Sequence, residues 1–102
     1  DLLSPGITVT NVGFYGPQGR RLRLNLRDDQ MNEKMGSFNF KGKHITNLEM
    51  ETSGIYGLAG LLGHRALSLN CILANRSTGK FSMDPIKAIQ GLIALTLDRI
   101  VY

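Results

Sequence analysis

The hydrophobic and polar positions of this chain change period several times. Pro5-Gly6 marks a turn, and residues 7–12 then alternate β-branched side chains, which predicts a strand. Residues 14–20, Phe-Tyr-Gly-Pro-Gln-Gly-Arg, break that pattern with Gly-Pro and a further glycine, so a loop with a polar tip at Gln18 and Arg20 is expected. Residues 21–27 place leucines at 22, 24 and 26 and mostly arginines between them, the alternation of a half-buried strand. Asp28 and Asp29 are candidate caps for a short helix over 30–36, with Met31 and Met35 on one face. Residues 38–40 alternate again, Lys41-Gly42-Lys43 reads as a turn, and residues 45–50 as a strand.

From Thr52 the period becomes helical. Ile55, Leu58, Ala59 and Leu62 fall on one face, predicted to be buried, and Gly63 suits the position after the helix end. Gly54, Gly57 and Gly60 each cost a helix about 1 kcal/mol relative to alanine, which predicts another backbone packed close against them. Residues 66–74 form a continuous, mostly apolar run suited to a buried strand, with Asn75-Arg76 at its C-terminal end, where open α/β sheets bind ligands. A loop over 77–83 leads to Asp84-Pro85, a cap followed by proline at the first helical position. Ile86, Ile89, Ile93, Leu97 and Ile100 then make a helical seam. Strands alternate with helices at βαβ-like spacing, so the expected class is α/β with a largely buried sheet, within one domain over 1–102.

Composition narrows the function classes. The 102 residues carry 42% hydrophobic and 20% charged side chains, an ordinary globular balance for one modest core. The net charge of +4 attracts phosphate-bearing partners through the general field. One cysteine, Cys71, precludes an intrachain disulfide and fits a reducing cytoplasm. The longest apolar run, residues 55–62, is too short to span a bilayer, and no leader pattern opens the chain. The opening Asp1-Leu2-Leu3 lacks an initiator methionine, which suggests processing, trimming or a fragment.

The candidate chemistry gathers around residues 47–63. Glu49 and Glu51 flank Met50 at a predicted strand-to-helix junction, where the positive end of a helix keeps a carboxylate ionised. In extended chain the two acids share a side about 6.5 Å apart, and a vicinal diol is a natural guest. The plainer account is one capping acid and one solvated acid, with Met50 as filling. Gln18 and Arg20 could read a planar imide edge, since an amide both donates and accepts. The guanidinium would stabilise charge developing on a carbonyl when a ring leaves. Phe14 could supply a stacking face; the plainer account is a surface hairpin. Arg20, Arg21, Arg23 and Arg27 beside Phe14 and Tyr15 could form a nucleic-acid stripe, against which strict alternation with leucine favours a solvated strand face. His44 and His64 have no partner at ligand spacing, so no metal site is expected, and no glycine-rich phosphate loop occurs.

Residues 6–10, Gly-Ile-Thr-Val-Thr, followed by Phe14-Tyr15-Gly16-Pro17-Gln18-Gly19-Arg20, resemble the uracil-recognition region of uridine phosphorylases. Residues 47–52, Asn-Leu-Glu-Met-Glu-Thr, resemble the Glu-Met-Glu ribose-binding motif of the wider nucleoside phosphorylase family. Residues 72–76, Ile-Leu-Ala-Asn-Arg, resemble that family's next strand end. Order and spacing agree across nearly the whole chain, and the Gln-x-Arg loop points to uridine rather than purine nucleosides.

The resemblance implies the C-terminal portion of a three-layer α/β/α subunit with a mixed central sheet, in a cytoplasmic homo-oligomer. It implies reversible phosphorolysis of uridine to uracil and ribose 1-phosphate, with inorganic phosphate as co-substrate, no cofactor, and neither nucleic acid nor membrane as partner. By similarity Gln18 and Arg20 bind the uracil edge and Phe14 lines the base. Met50 contacts the ribose and Glu51 accepts from its hydroxyls, with Glu49 alongside; Arg20 and Glu51 are the residues expected to matter most for catalysis. Arg76 would lie near a uracil carbonyl. Asn75 falls where purine-specific relatives carry an acid, and its lack of one suits a pyrimidine leaving group. The family's phosphate-binding glycine and arginines lie in an N-terminal half not contained in these residues. Another phosphorylase or nucleosidase of this fold, acting on purine or methylthioadenosine substrates, is the near alternative. A small basic nucleic-acid-binding module is the distant one.

Overall fold

The structure is a computed structural model in which residues 3–100 are described. It is mixed α/β: β1 (Ile7–Thr10), α1 (Met31–Ser37), β2 (Asn39–Phe40), β3 (Lys43–Glu49), α2 (Thr52–Leu61), β4 (Ala74–Asn75), β5 (Lys80–Phe81) and α3 (Pro85–Arg99), with a 3-10 turn at Gly16–Gln18. The chain divides into two units, Asp1–Leu67 and Ser68–Tyr102.

The first unit is built on a mixed sheet of order β1-β3-β2. β1 runs parallel to β3, with Thr8 beside Asn47, Val9 beside Leu48 and Thr10 beside Glu49. Parallel neighbours need a long crossover, and residues 11–42 supply it, α1 included. The register shifts between Ile7 and Thr8. A side chain at Gly6 would collide with Thr46, so this close approach needs glycine. β2 and β3 form an antiparallel hairpin through Lys41 and Gly42, with φ of 51° and 78°. Positive φ at both central residues gives a two-residue turn the twist that matches its strands.

The helices follow the expected boundaries more closely than the expected burial. α1 packs on β3, and Met31 and Met35 are its half-buried positions, as their spacing predicts. Asp28 is not the cap residue of α1. Its carboxylate accepts from the Gln30 N–H at 2.9 Å and pairs with Lys34 at 2.6 Å, shaping the turn that precedes the helix. α2 packs on β1 and ends at Leu62. The His64 N–H bonds to the Ala59 carbonyl at 2.8 Å and the Gly63 N–H to the Gly60 carbonyl at 3.3 Å, a Schellman closure.

Other expectations need correction. Residues 21–27 are not a strand but an irregular segment, with Leu22 and Leu24 67% and 83% exposed. Residues 66–73 likewise form no strand; regular structure resumes only at β4. A strand is held by a neighbour's ladder, and neither segment has one among the described residues. The anticipated buried face of α2 is also open: Ile55, Leu58 and Leu62 are exposed, and nothing stands within 4 Å of where side chains at Gly54, Gly57 or Gly60 would be. No described hydrophobic side chain is buried; the buried polar ones are Gln18 and Thr52.

In the second unit β4 and β5 pair antiparallel, Ala74 with Phe81 and Asn75 with Lys80. α3 begins as expected: the Asp84 carboxylate accepts from the Lys87 N–H at 3.0 Å, and Pro85 follows the cap. The expected isoleucine seam is exposed instead, and the half-buried positions are Ala88, Leu92, Leu95 and Thr96. No helix among the described residues is long and apolar enough to cross a membrane.

Candidate functional site

The loop after β1 carries the first cluster. Gly-Pro starts the 3-10 turn, and the Gln18 N–H bonds to the Tyr15 carbonyl at 3.1 Å. Gly19 closes it in the left-handed region, φ 74°, its N–H on the Gly16 carbonyl at 2.9 Å. The closure brings Arg20 back over the loop. Its N–H bonds to the Tyr15 carbonyl at 2.9 Å. Its Nη1 donates to the Phe14 carbonyl and to Gln18 Oε1, the latter at 2.7 Å. The guanidinium lies 3.6 Å from the centroid of the Phe14 ring, a cation–π contact, and Tyr15 meets Phe14 edge-on with centroids 5.2 Å apart. Gln18 is 3% exposed, Phe14 51%.

Phe14, Gln18 and Arg20 thus form one cluster. Both Arg20 side-chain bonds come from a single nitrogen, and a guanidinium carries five N–H donors. A neighbouring cleft of about 720 Å³ opens between Tyr15 and Arg20 on one side and residues 22–26 on the other. Asn32 of α1 braces the turn, its Nδ2 donating to the Gly19 carbonyl at 2.9 Å. No sequence pattern marks Asn32, because the contact spans residues with no shared motif.

The second cluster lies where β3 meets α2, and its acids have different surroundings. Glu49 is half-buried, and both of its carboxylate oxygens accept hydrogen bonds. One carboxylate oxygen accepts from the Thr10 hydroxyl; the other accepts from the Glu51 N–H at 2.6 Å and the Thr52 N–H at 2.7 Å. Partial withdrawal from water pushes its carboxyl up, but the Thr10 hydroxyl and the backbone donors outweigh that and hold it at about 2. Thr10 Oγ1 also accepts from the Ser53 N–H at 3.0 Å. Two N–H groups that would be orphaned at the start of α2 are therefore satisfied from the sheet. The Glu51 carboxylate is exposed, and among the described residues it accepts one hydrogen bond, a 3.3 Å contact from the Met50 N–H. Met50 is 44% exposed beside it.

The two clusters share β1. Thr10 touches Glu49, and the Asn11 N–H bonds to the Glu49 carbonyl at 2.9 Å just before the Phe14 loop begins. Thr10 was not a candidate from sequence, since a threonine in a strand is unremarkable until its register beside Glu49 is known. Asn11 and Asn47 each bury a side-chain Nδ2 without a hydrogen-bond partner among the described residues.

Asn75 and Arg76 lie in the second unit. Asn75 Oδ1 accepts from the Ser77 and Thr78 N–H groups at 2.9 and 3.1 Å, and its carbonyl from the Gly79 N–H at 2.8 Å. Its side-chain oxygen organises the β4–β5 turn. Among the described residues no group of three or more His, Cys, Asp and Glu side chains is placed to share a metal ion.

No family model matches the chain, and no solved structure matches it. Among curated proteins, the chain is similar to a uridine phosphorylase of Thermococcus kodakarensis, 33% identical over 84 residues that cover 74% of this chain. The match covers 27% of that relative, so the chain corresponds to about a quarter of its length.

Proposed function

We propose that the chain is the base- and ribose-binding portion of a nucleoside phosphorylase acting on uridine, which it converts reversibly with phosphate to uracil and ribose 1-phosphate. The observation that carries the reading is the Phe14–Gln18–Arg20 cluster. Its guanidinium is fixed by Gln18 Oε1 and the Phe14 carbonyl, so its remaining donors need little reorganisation to meet a ligand carbonyl. The similarity to a uridine phosphorylase over most of the chain agrees with it.

In this reading phosphate attacks C1′ of the nucleoside and the glycosidic electron pair passes to the uracil ring. Negative charge grows on the uracil carbonyls, and Arg20 donates to one of them as it does so. Gln18 reads the imide edge and Phe14 borders the base. Glu51 accepts from the ribose hydroxyls with Met50 against the sugar. Residues outside this chain bind phosphate, and the assembled enzyme is a cytoplasmic homo-oligomer of three-layer α/β/α subunits.

The test is uracil release from uridine by the full-length protein, with and without phosphate. Phosphate-dependent release supports the reading. Release without phosphate assigns a nucleosidase, and cleavage of purine nucleosides or methylthioadenosine alone overturns the uracil assignment. The 102-residue chain by itself is expected to release none.

A further inference from the structure

We infer that Thr10 and Glu49 are a positioning pair that aims Glu51 at the ribose, Glu49 itself being no sugar ligand. The inference deepens the nucleoside reading and rests on it. A carboxylate only accepts, and both Glu49 oxygens already do so, from the Thr10 hydroxyl, the Glu51 N–H and the Thr52 N–H. A sugar hydroxyl displacing them would orphan backbone donors at the start of α2.

The direction of the relay follows from hydrogen-bond chemistry. The Ser53 N–H can only donate, so it uses a lone pair of Thr10 Oγ1. The hydroxyl hydrogen is then committed to Glu49. Thr10 is paired with Glu49 in the β1–β3 register, so the relay is anchored in the sheet. Glu49 in turn grips the backbone on both sides of the Glu51 α-carbon, through the Glu51 and Thr52 N–H groups. The peptide from which Glu51 departs is therefore held while its carboxylate stays exposed. Supporting contacts of this kind fix the direction of a binding group without touching the ligand.

The test compares uridine with uracil, which lacks the sugar, by titration calorimetry on the full-length protein and its variants. Thr10→Val keeps the side-chain shape and removes both hydrogen bonds. Uridine binding is expected to weaken about tenfold, the size of one lost charge-assisted contact, while uracil binding stays unchanged. Thr10→Ser should restore uridine binding. In a Glu51→Gln background Thr10→Val should add little, because the two act through one group. If Thr10→Val does not fold, Glu49→Gln carries the same comparison. Equal weakening for uridine and uracil, or full additivity with Glu51→Gln, overturns the inference and leaves the nucleoside reading standing. A wild-type protein that binds neither compound overturns that reading and the inference with it.

Discussion

The guanidinium of Arg20 stacks on the ring of Phe14 at 3.6 Å and bonds to the Phe14 backbone carbonyl as well, so one residue is held at both its ring and its main chain by the other. Arg20→Ala removes a donor that acts on the leaving base and loosens the ring beside it. In the full-length protein it should lower kcat/KM for uridine by about 10- to 100-fold, as a charge-assisted hydrogen bond of 1.5–3 kcal/mol implies. A purine nucleoside, if turned over at all, should lose far less. Equal loss for both would refute uracil recognition by Arg20. Arg20→Lys should rescue poorly, since an ammonium cannot stack as a planar fork does.

Gly19→Ala tests the turn that presents this pair. The residue sits at φ 74°, and an added Cβ would collide with the Asn32 side chain. The left-handed backbone alone costs a non-glycine residue roughly 1–2 kcal/mol. Denaturant melts of the full-length protein should show that loss. Combining it with Asn32→Ala should relieve the collision and recover only part of it. Full recovery would show that the backbone conformation carries no cost.

The Glu49 clamp has a pH signature. Its folded value of about 2 lies below the ordinary 4.5, so its contribution is complete above pH 4.5 and is lost as pH falls toward 2. Amide exchange at Glu51 and Thr52 should accelerate through that acid window and stay level between pH 5 and 8 once corrected for intrinsic rates. Glu49→Gln should abolish the step. An unchanged step in that variant would assign it to another carboxylate.

Asp84→Ala removes the cap of α3, whose carboxylate holds the Lys87 N–H. A destabilisation of about 1 kcal/mol is expected, with Asp84→Asn close to wild type. Thermal melts of the full-length protein check it, and an effect within error would mean that α3 is held by packing rather than by its start.

Local signals were legible in the sequence where local chemistry decides the structure. Asp84-Pro85 opens α3, Gly63 follows the end of α2, and Lys41-Gly42 turns the hairpin, each through bonds or dihedrals within a few residues. Alternation at residues 21–27 and the apolar run at 66–73 failed for the opposite reason. A period of two makes one side of a segment apolar, but only a neighbouring strand makes it a strand, and none stands beside either segment among the described residues. The site shows the same division. Gln18 and Arg20 meet across two positions and could be paired by inspection. Thr10 and Glu49 meet across 39, and only the parallel register brings them together.

The uncovered apolar faces of α2 and α3 have a calorimetric consequence. The chain exposes 8750 Å², where a compact monomer of 11.2 kDa exposes about 5,700 Å². An unfolded chain of this mass exposes about 16,200 Å², so the fold hides about 7,500 Å² where a compact monomer hides about 10,500 Å². A well-packed domain of this size unfolds with a heat-capacity increase of about 1.2–1.5 kcal/mol/K. The isolated 102 residues should show about 70% of that, with a broader melt than a well-packed domain gives. In that chain the clamp and the arginine stack would be protected by a weaker transition than in a fully packed domain.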